Sequence, residues 1–359
     1  MEALHQAALD NVNGYTASEG DPKLVDAIVR RERRRNKVDY APSDVMVTTG
    51  VSESLSMLLG SAVVPGDEVL VPGPSYPPYD SLVKFYGGTP VHYRTVEGED
   101  WQPDVDDLRR RITPRTKAVC LINPNNPTGA LYPSKVVKQF ADVVGEHANQ
   151  LFMVSDEIYD EMTFDGTQVA SKTVAPDVPM VTFNGFSKVY LVPGWRLGHM
   201  LWNDTTGSLA QIKDGVLREG RVRLSPSSVA QRAAVAALDG PQDHVAKTND
   251  ALRKRRDHTV KRLNGIEGLS SAKPDGAFYA FPRITALDTP KGQALWASDK
   301  EFVLDFLRTE NVLTVHGSGF GPQYGAGHLR LVILPDIPIL ETAFARLESF
   351  LRRRLGTGA

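Results

Sequence analysis

The sequence predicts an α/β protein in which a large unit, a mostly parallel sheet between helices, is followed by a smaller α+β unit. Three observations carry this. Short β-rich runs alternate with longer helical patterns through the first two thirds of the chain, as parallel sheets covered by helices require. Near Gly240 the alternation gives way to one long charged helical pattern. Finally, 359 residues of which 41% are hydrophobic exceed one simple core and suffice for two packed units.

In chain order, MEALHQAALD opens as a helix and, with an arm, occupies residues 1–21. The large unit spans residues 22–239. The pattern LVDAIVRRE marks an amphipathic helix, and RRERRRNK at 30–37 extends it as a solvated face. DVMVTTG is a strand and VSESLSMLLGSAVV the helix after it; DEVLVPG and YPPYDSLVKFYG repeat the pair, as do KAVCLINP and PSKVVKQFADVVGEH. LFMVSDE and PMVTFNG are two further strands. From residue 240 to 359, the long helix GPQDHVAKTNDALRKRRDHTVKRLNG leads into AFYAFPR, KEFVLDFLRTE, VLTVHG, HLRLVIL and ILETAFARLESFLRRRL, a mixed set for the smaller unit. No repeat or low-complexity linker separates the two, so they are expected to pack together.

Composition narrows the function. Lys and Arg number 41 against 43 Asp and Glu, a net charge of −2 that provides no field for nucleic acid or an anionic membrane. Small molecules are the expected partners. The single cysteine, Cys120 in AVCLI, forbids an intrachain disulfide and fits a reducing compartment. The start is unlike a signal peptide, and no apolar run reaches the roughly 18 residues of a membrane span. A cytoplasmic location is expected.

Open parallel sheets hold ligands at the carboxyl ends of their strands, and unusual loops fall there. In TTGVSES, residues 48–54, Gly50 turns the chain and Ser52 opens a helix whose free amides form an anion site. An ordinary Ser cap after a Gly turn reads the same way. NPNNPTG, residues 123–129, is a rigid turn holding amide side chains out of the sheet, or a plain turn before a helix starting near Pro133. In SDEIY, residues 155–159, Asp156 sits where a buried strand meets the crevice and needs a cation or hydrogen bonds. Tyr159 can share that cavity, whereas Glu157, Asp160 and Glu161 suit a solvated loop. NGFSKVYLVPGWRLG, residues 184–198, places Lys188 beside Ser187, with Arg196 folded back by a Pro-Gly turn. Lysines on loops are ordinarily solvated. Beside an arginine and an anion-binding helix end, the ammonium is disfavoured, and a neutral lysine is what Schiff-base chemistry requires.

On these residues the chain resembles the class I and II aminotransferases, enzymes of fold type I that use pyridoxal 5′-phosphate. GFSKVYLVPGWRLG is similar to the family's lysine signature, and NPNNPTG, SDEIY and GHLRLVIL stand in the family's order, so the resemblance spans the chain. VPGPSYPPYDSLVKFYGGTPVHYRT, EDWQPDVDDLRRRIT and VHGSGFG look most like alanine aminotransferases of the archaeal and bacterial type. The resemblance implies that Lys188 forms the Schiff base and shuttles the substrate's α-proton, and that Asp156 pairs with the pyridine nitrogen and so makes the ring an electron sink. It implies that Asn126 and Tyr159 bind the ring's phenolic oxygen and that Tyr76 stacks on the ring. It places the phosphate on the turn at Gly50, on the amides of Val51 and Ser52, and against Ser187 and Arg196. Arg330, with Asn126 beside it, would hold the substrate's α-carboxylate. Tyr15, in GYTASEG, would reach a phosphate in a neighbouring subunit, which implies a homodimer. The reaction implied moves an amino group from an L-amino acid, L-alanine by preference, to a 2-oxo acid, 2-oxoglutarate by preference, giving pyruvate and L-glutamate.

Relatives usually carry several dozen residues before the helix that begins here at Met1, including a segment that folds over the substrate. Either the true start lies upstream, the chain was trimmed, or the site is more open; the cofactor chemistry is expected to survive, with substrate affinity and water exclusion at stake. Other readings share the cofactor residues: an aspartate or aromatic aminotransferase, a C–S β-lyase, or a cofactor-binding protein without turnover. HGSGFG at 316–321 invites a dinucleotide fingerprint, which Pro322 and QYGAGH exclude by denying it a helix. RKRRD at 253–257 reads as a solvated helix face, and His92, His199 and His316 lack metal-ligand spacing, so no metal is expected.

Overall fold

The computed structural model describes residues 1–356. Helices α1 (Glu2–Leu9) and α2 (Pro22–Asn36) precede strand β1 (Val45–Thr48). Then come α3 (Val51–Ala62), β2 (Glu68–Gly73), α4 (Pro77–Phe85), β3 (Thr89–Val96), β4 (Gln102–Pro103), α5 (Val105–Arg111) and β5 (Thr116–Ile122). α6 (Ser134–Gly145), β6 (Phe152–Asp156), α7 (Ser171–Val174), β7 (Met180–Gly185), β8 (Gly198–Asn203), α8 (Ala210–Arg223) and α9 (Ser228–Asp239) complete the first part of the chain. Beyond Gly240 lie α10 (Asp243–Asn264), β9 (Tyr279–Ala280), α11 (Pro290–Leu295), α12 (Asp299–Glu310), β10 (Val315–His316), β11 (Leu329–Val332) and α13 (Ile337–Leu355).

The large sheet has eight strands in the order β1-β8-β7-β6-β5-β2-β3-β4. From β7 to β3 all pairings are parallel. Strand β8 runs antiparallel to both of its neighbours, β7 and β1. That reversal restores β1 to the direction of β7, so the carboxyl ends of β1, β2, β5, β6 and β7 share one edge of the sheet. Every candidate loop of the large unit therefore opens on the same side. The second sheet, β10-β11-β9, is antiparallel and built from residues beyond Gly240.

The central strands are covered on both faces, which is why they read as continuous apolar runs. Val69, Val71, Cys120, Val154, Val181 and Phe183 pack on one side beneath Leu55 and Leu58 of α3. Leu70, Val119, Leu121, Met153 and Met180 pack on the other against Phe140 and Val144 of α6. Each fully buried side chain of this kind contributes about 1.5–3 kcal/mol. A third core joins Phe302, Phe306, Phe344 and Phe350 to Ile158, Tyr159 and Met162, so the smaller sheet is seated on the segment that follows β6. Among the described residues no helix is long and apolar enough to cross a membrane.

Three polar segments differ from expectation. Residues 30–37, expected on a solvated face, turn Arg31 and Glu32 inward. Arg31 donates to Asp160 (2.5 Å), Glu161 (2.7 Å) and Glu32 (2.6 Å). Asp160 is fully buried rather than solvated, and Asn184 donates to it as well (2.9 Å). Burial works against its charge, but Arg31 and Arg35 outweigh burial and hold its carboxyl below the usual range. The cause is packing: the inner face of α2 lies on the turn after β6, and a carboxylate buried there demands a cation. Glu157 is also buried. It accepts from Ser155 Oγ and the Ser171 amide (both 2.9 Å), and burial pushes its carboxyl up to about 7. In RKRRD, Arg256 points inward, contacts Asp165 (2.9 Å) and lies over the Phe164 ring.

Candidate active site

The walls of the site start as loop geometry. After β5, Asn123 and Asn125 fix their own turn: Asn123 Oδ1 accepts from the Tyr132 amide (2.9 Å) and Asn125 Oδ1 from Thr128 Oγ1 (3.0 Å). Asn126 is left to face the cavity. After β1, Gly50 has φ +78°, and a Cβ there would lie 2.7 Å from Arg196 Nη2. A Cβ on Gly198 would lie 2.8 Å from the Val51 nitrogen, so only glycine lets β8 run this close to the start of α3. These two contacts place the Arg196 guanidinium over the first turn of α3.

Ser52 does not cap that helix. Gly50 is the cap residue, and no side chain bonds the end, so the first amides of α3 are free for an anion. Arg196 reinforces the anion site. Its one side-chain hydrogen bond among the described residues goes to the Pro193 carbonyl (3.0 Å).

A cavity of about 370 Å³ lies at this sheet edge. Val51, Ser52, Tyr76, Asn126, Asp156 and Tyr159 line it, together with Ser187, Lys188, Arg196 and Arg330. Gly50 borders it through Arg196. The sequence-derived candidates therefore converge, with one exception: Tyr15 is 81% exposed and lies away from this cavity.

Lys188 stands in the loop after β7, its Nζ 5.4 Å from the Phe278 ring centre and 5.7 Å from that of Tyr159. Burial lowers its ammonium's pKa; Arg330 and Arg196 push the same way, and Asp156 opposes them. The amine is thereby biased toward its nucleophilic, proton-accepting form. Asp156 ends β6. Burial pushes its carboxyl up to about 6, although Tyr79 donates its hydroxyl to Oδ2 (2.9 Å) and the Ile158 amide donates to Oδ1 (3.2 Å). A carboxylate this costly to bury is suited to a cationic partner in the cavity.

Arg330 reaches in from β11. Its Nη1 donates to Asn126 Oδ1 (3.0 Å), which leaves Asn126 Nδ2 as a donor for the cavity. Among the described residues its Nε is buried without a partner. Two features escaped the sequence reading. Tyr79 lies three residues beyond Tyr76, and that one-turn spacing at a helix start was the available signal. Tyr279 lies in AFYAF, and its hydroxyl is 2.9 Å from that of Tyr159.

The residues fit a phosphorylated aromatic aldehyde. The glycine cradle, the free helix amides and Arg196 suit its phosphate, the Tyr76 wall suits its ring, and Asp156 suits a protonated ring nitrogen. Residues 1–343 match the profile of the class I and II aminotransferases. The chain belongs to that family.

This aminotransferase is 38% identical to an alanine aminotransferase of Mycobacterium tuberculosis over 348 residues, 96% of this chain and 79% of that protein. It is 35% identical to the glutamate-pyruvate aminotransferase AlaA of Escherichia coli, over 96% of this chain and 84% of that one. The fold superposes on an alanine aminotransferase structure from Pyrococcus furiosus with a TM-score of 0.93 at 51% identity, covering 98% of this chain and 87% of that one. A double mutant of Thermus thermophilus aspartate aminotransferase gives 0.87 at 31% identity, covering 97% and 86%.

Proposed function

We propose that this aminotransferase uses pyridoxal 5′-phosphate to exchange an amino group between L-alanine and 2-oxoglutarate, giving pyruvate and L-glutamate. The observation that carries the mechanism is a half-buried amine in a cavity with two cationic groups: Lys188 lines it together with Arg196, the uncapped start of α3 and Arg330. When bound, the cofactor supplies an aldehyde for the amino group and a ring that withdraws electrons from the substrate's α-carbon.

Each residue has a task in this scheme. The α3 amides of Val51 and Ser52, with Ser187 and Arg196, would hold the phosphate; Asp156 would keep the proton on the ring nitrogen, and Tyr76 would cover the ring face. Asn126 Nδ2 and the Tyr159 hydroxyl would be the donors to the phenolic oxygen. Arg330 grips the α-carboxylate, for which a guanidinium fork is the apt geometry. Lys188 would hold the cofactor's aldehyde, and its amine, biased by burial toward the neutral form, would take up and return the substrate's α-proton as one 2-oxo acid leaves and a second takes its place.

Alanine is favoured because relatives named for it match at 51%, 38% and 35% identity, above an aspartate aminotransferase of Geobacillus stearothermophilus at 33%. We further assign a homodimer in which the exposed Tyr15 reaches the partner's phosphate, working in the reducing cytoplasm that a lone buried thiol, Cys120, suits. The test is steady-state turnover with 2-oxoglutarate and L-alanine, L-aspartate or L-tyrosine as donor. The highest kcat/KM is expected for alanine. A higher value for either other donor overturns the substrate assignment, and elimination without amino transfer overturns the reaction.

A further inference from the structure

Tyr279 has no part in the scheme above, yet it touches two of its members: Arg330 on the neighbouring strand β11 and Tyr159 on the segment after β6. It stands on β9, buried, and the Arg330 guanidinium carbon lies 4.6 Å above its ring centre. Arg330 also lies 4.7 Å from the ring centre of Phe320. Phe320 belongs to the glycine-rich HGSGFG turn, whose backbone is tied to the large sheet where the Phe320 carbonyl accepts from the Ser75 amide (2.8 Å). The guanidinium thus lies over two aromatic rings, while among the described residues its Nε has no acceptor.

The hydroxyl of Tyr279 meets that of Tyr159 at 2.9 Å, and the two rings are edge to face at 5.9 Å. Two hydroxyls sharing one hydrogen bond have one proton left over. If Tyr279 donates to the Tyr159 oxygen, the Tyr159 proton is free to point into the cavity, and the chain of two bonds strengthens that donation. The other charged or titratable groups facing Tyr159 are Asp156 from β6, Tyr76 before α4, Lys188 after β7 and Arg330 from β11.

We propose that Tyr279 is a positioning residue that couples the substrate-carboxylate site to the cofactor site: its ring, with that of Phe320, fixes the Arg330 guanidinium, and its hydroxyl aims the Tyr159 proton at the cofactor's phenolic oxygen. This rests on the functional reading above. The ring and the hydroxyl act on different observables, so they can be separated by substitution.

The probe is 2-methylalanine, which has the amine and carboxylate of a substrate but no α-proton, and so reports binding without turnover. Its dissociation constant is measured by titrating the visible absorption of the cofactor-loaded protein, and the pH midpoint of that absorption is measured without it. In Y279F the stacking ring remains, so 2-methylalanine affinity is expected within about twofold of wild type. The pH midpoint is expected to rise, because a weaker Tyr159 donor stabilises the ionised phenolic oxygen less. In F320L the converse is expected: affinity falls roughly thirtyfold, the size of a desolvated cation–π contact, and the midpoint stays in place. Urea unfolding of both variants checks that the fold is intact. An unchanged midpoint in Y279F, or unchanged affinity in F320L, overturns the proposal. Failure of the wild-type protein itself to respond to 2-methylalanine would instead overturn the functional reading on which it rests.

Discussion

Replacing Asp156 with Asn is expected to stabilise the cofactor-free protein at alkaline pH while abolishing amino transfer. The Asp156 carboxyl is carried from an ordinary 3.8 to about 6, burial being the dominant cause. At about 1.4 kcal/mol for each tenfold change in proton affinity, its charged form costs the fold roughly 3 kcal/mol. Well below pH 3.8 the group is protonated in the folded and unfolded chains alike, and no penalty exists. Between about pH 4 and 6 the unfolded carboxyl is ionised and the folded one is not, so stability falls across that window and stays low above it. Asn has no such titration. Urea unfolding of wild type and D156N, both cofactor-free, should give a gain of only about 1 kcal/mol for D156N near pH 4.5 and of roughly 3 kcal/mol at pH 8. Glu157, which burial pushes up to about 7, titrates in both proteins and cancels in the difference. A stability difference that does not change with pH would refute the assignment of a strained carboxylate to this site.

Three other substitutions probe separate parts of the account. Gly50→Ala puts a side chain into a glycine-only conformation and against Arg196, costing about 1–3 kcal/mol of stability and weakening pyridoxal 5′-phosphate binding, to be read by equilibrium dialysis; unaltered cofactor affinity would contradict the phosphate cradle. Arg330→Lys keeps the charge but loses the fork, and the KM for L-alanine should rise roughly ten- to a hundredfold, the worth of a charge-assisted contact, with a smaller change in kcat. Arg31→Met leaves Asp160 buried without its main cation, and a loss of about 3–5 kcal/mol in urea unfolding is expected; a neutral result would show that Asp160 carries no charge in the fold.

Much of the site was legible because its chemistry is attached to strand ends. Strands β2, β5, β6 and β7 are covered on both faces and announce themselves as apolar runs, so the loops that follow them could be placed, and with them Asn126, Asp156 and Lys188. Strand β8 was missed because it follows β7 through the Lys188 loop with no α-helix between, breaking the alternation. Strand β3 lies toward the sheet's edge, and its half-exposed pattern hid it. What local spacing could not reveal were pairings made by the fold. Tyr79 and Asp156 are 77 residues apart, Tyr159 and Tyr279 are 120, and Arg31 and Asp160 are 129. In each case an exposed-looking polar residue is buried only because a distant partner satisfies it. The charge run at 30–37 therefore read as a surface, although one of its arginines is internal.

The central claim is that Lys188 carries out amino transfer in this cavity. The most direct measurement is a single turnover: cofactor-loaded protein, freed of excess cofactor, is mixed with L-alanine in the absence of any oxo acid, and pyruvate is quantified. Wild type should release one pyruvate per bound cofactor and stop, and Lys188→Ala, still binding cofactor through the phosphate contacts, should release it about 10²–10⁴-fold more slowly. The claim is contradicted if wild type yields no pyruvate, or if Lys188→Ala yields it at the wild-type rate.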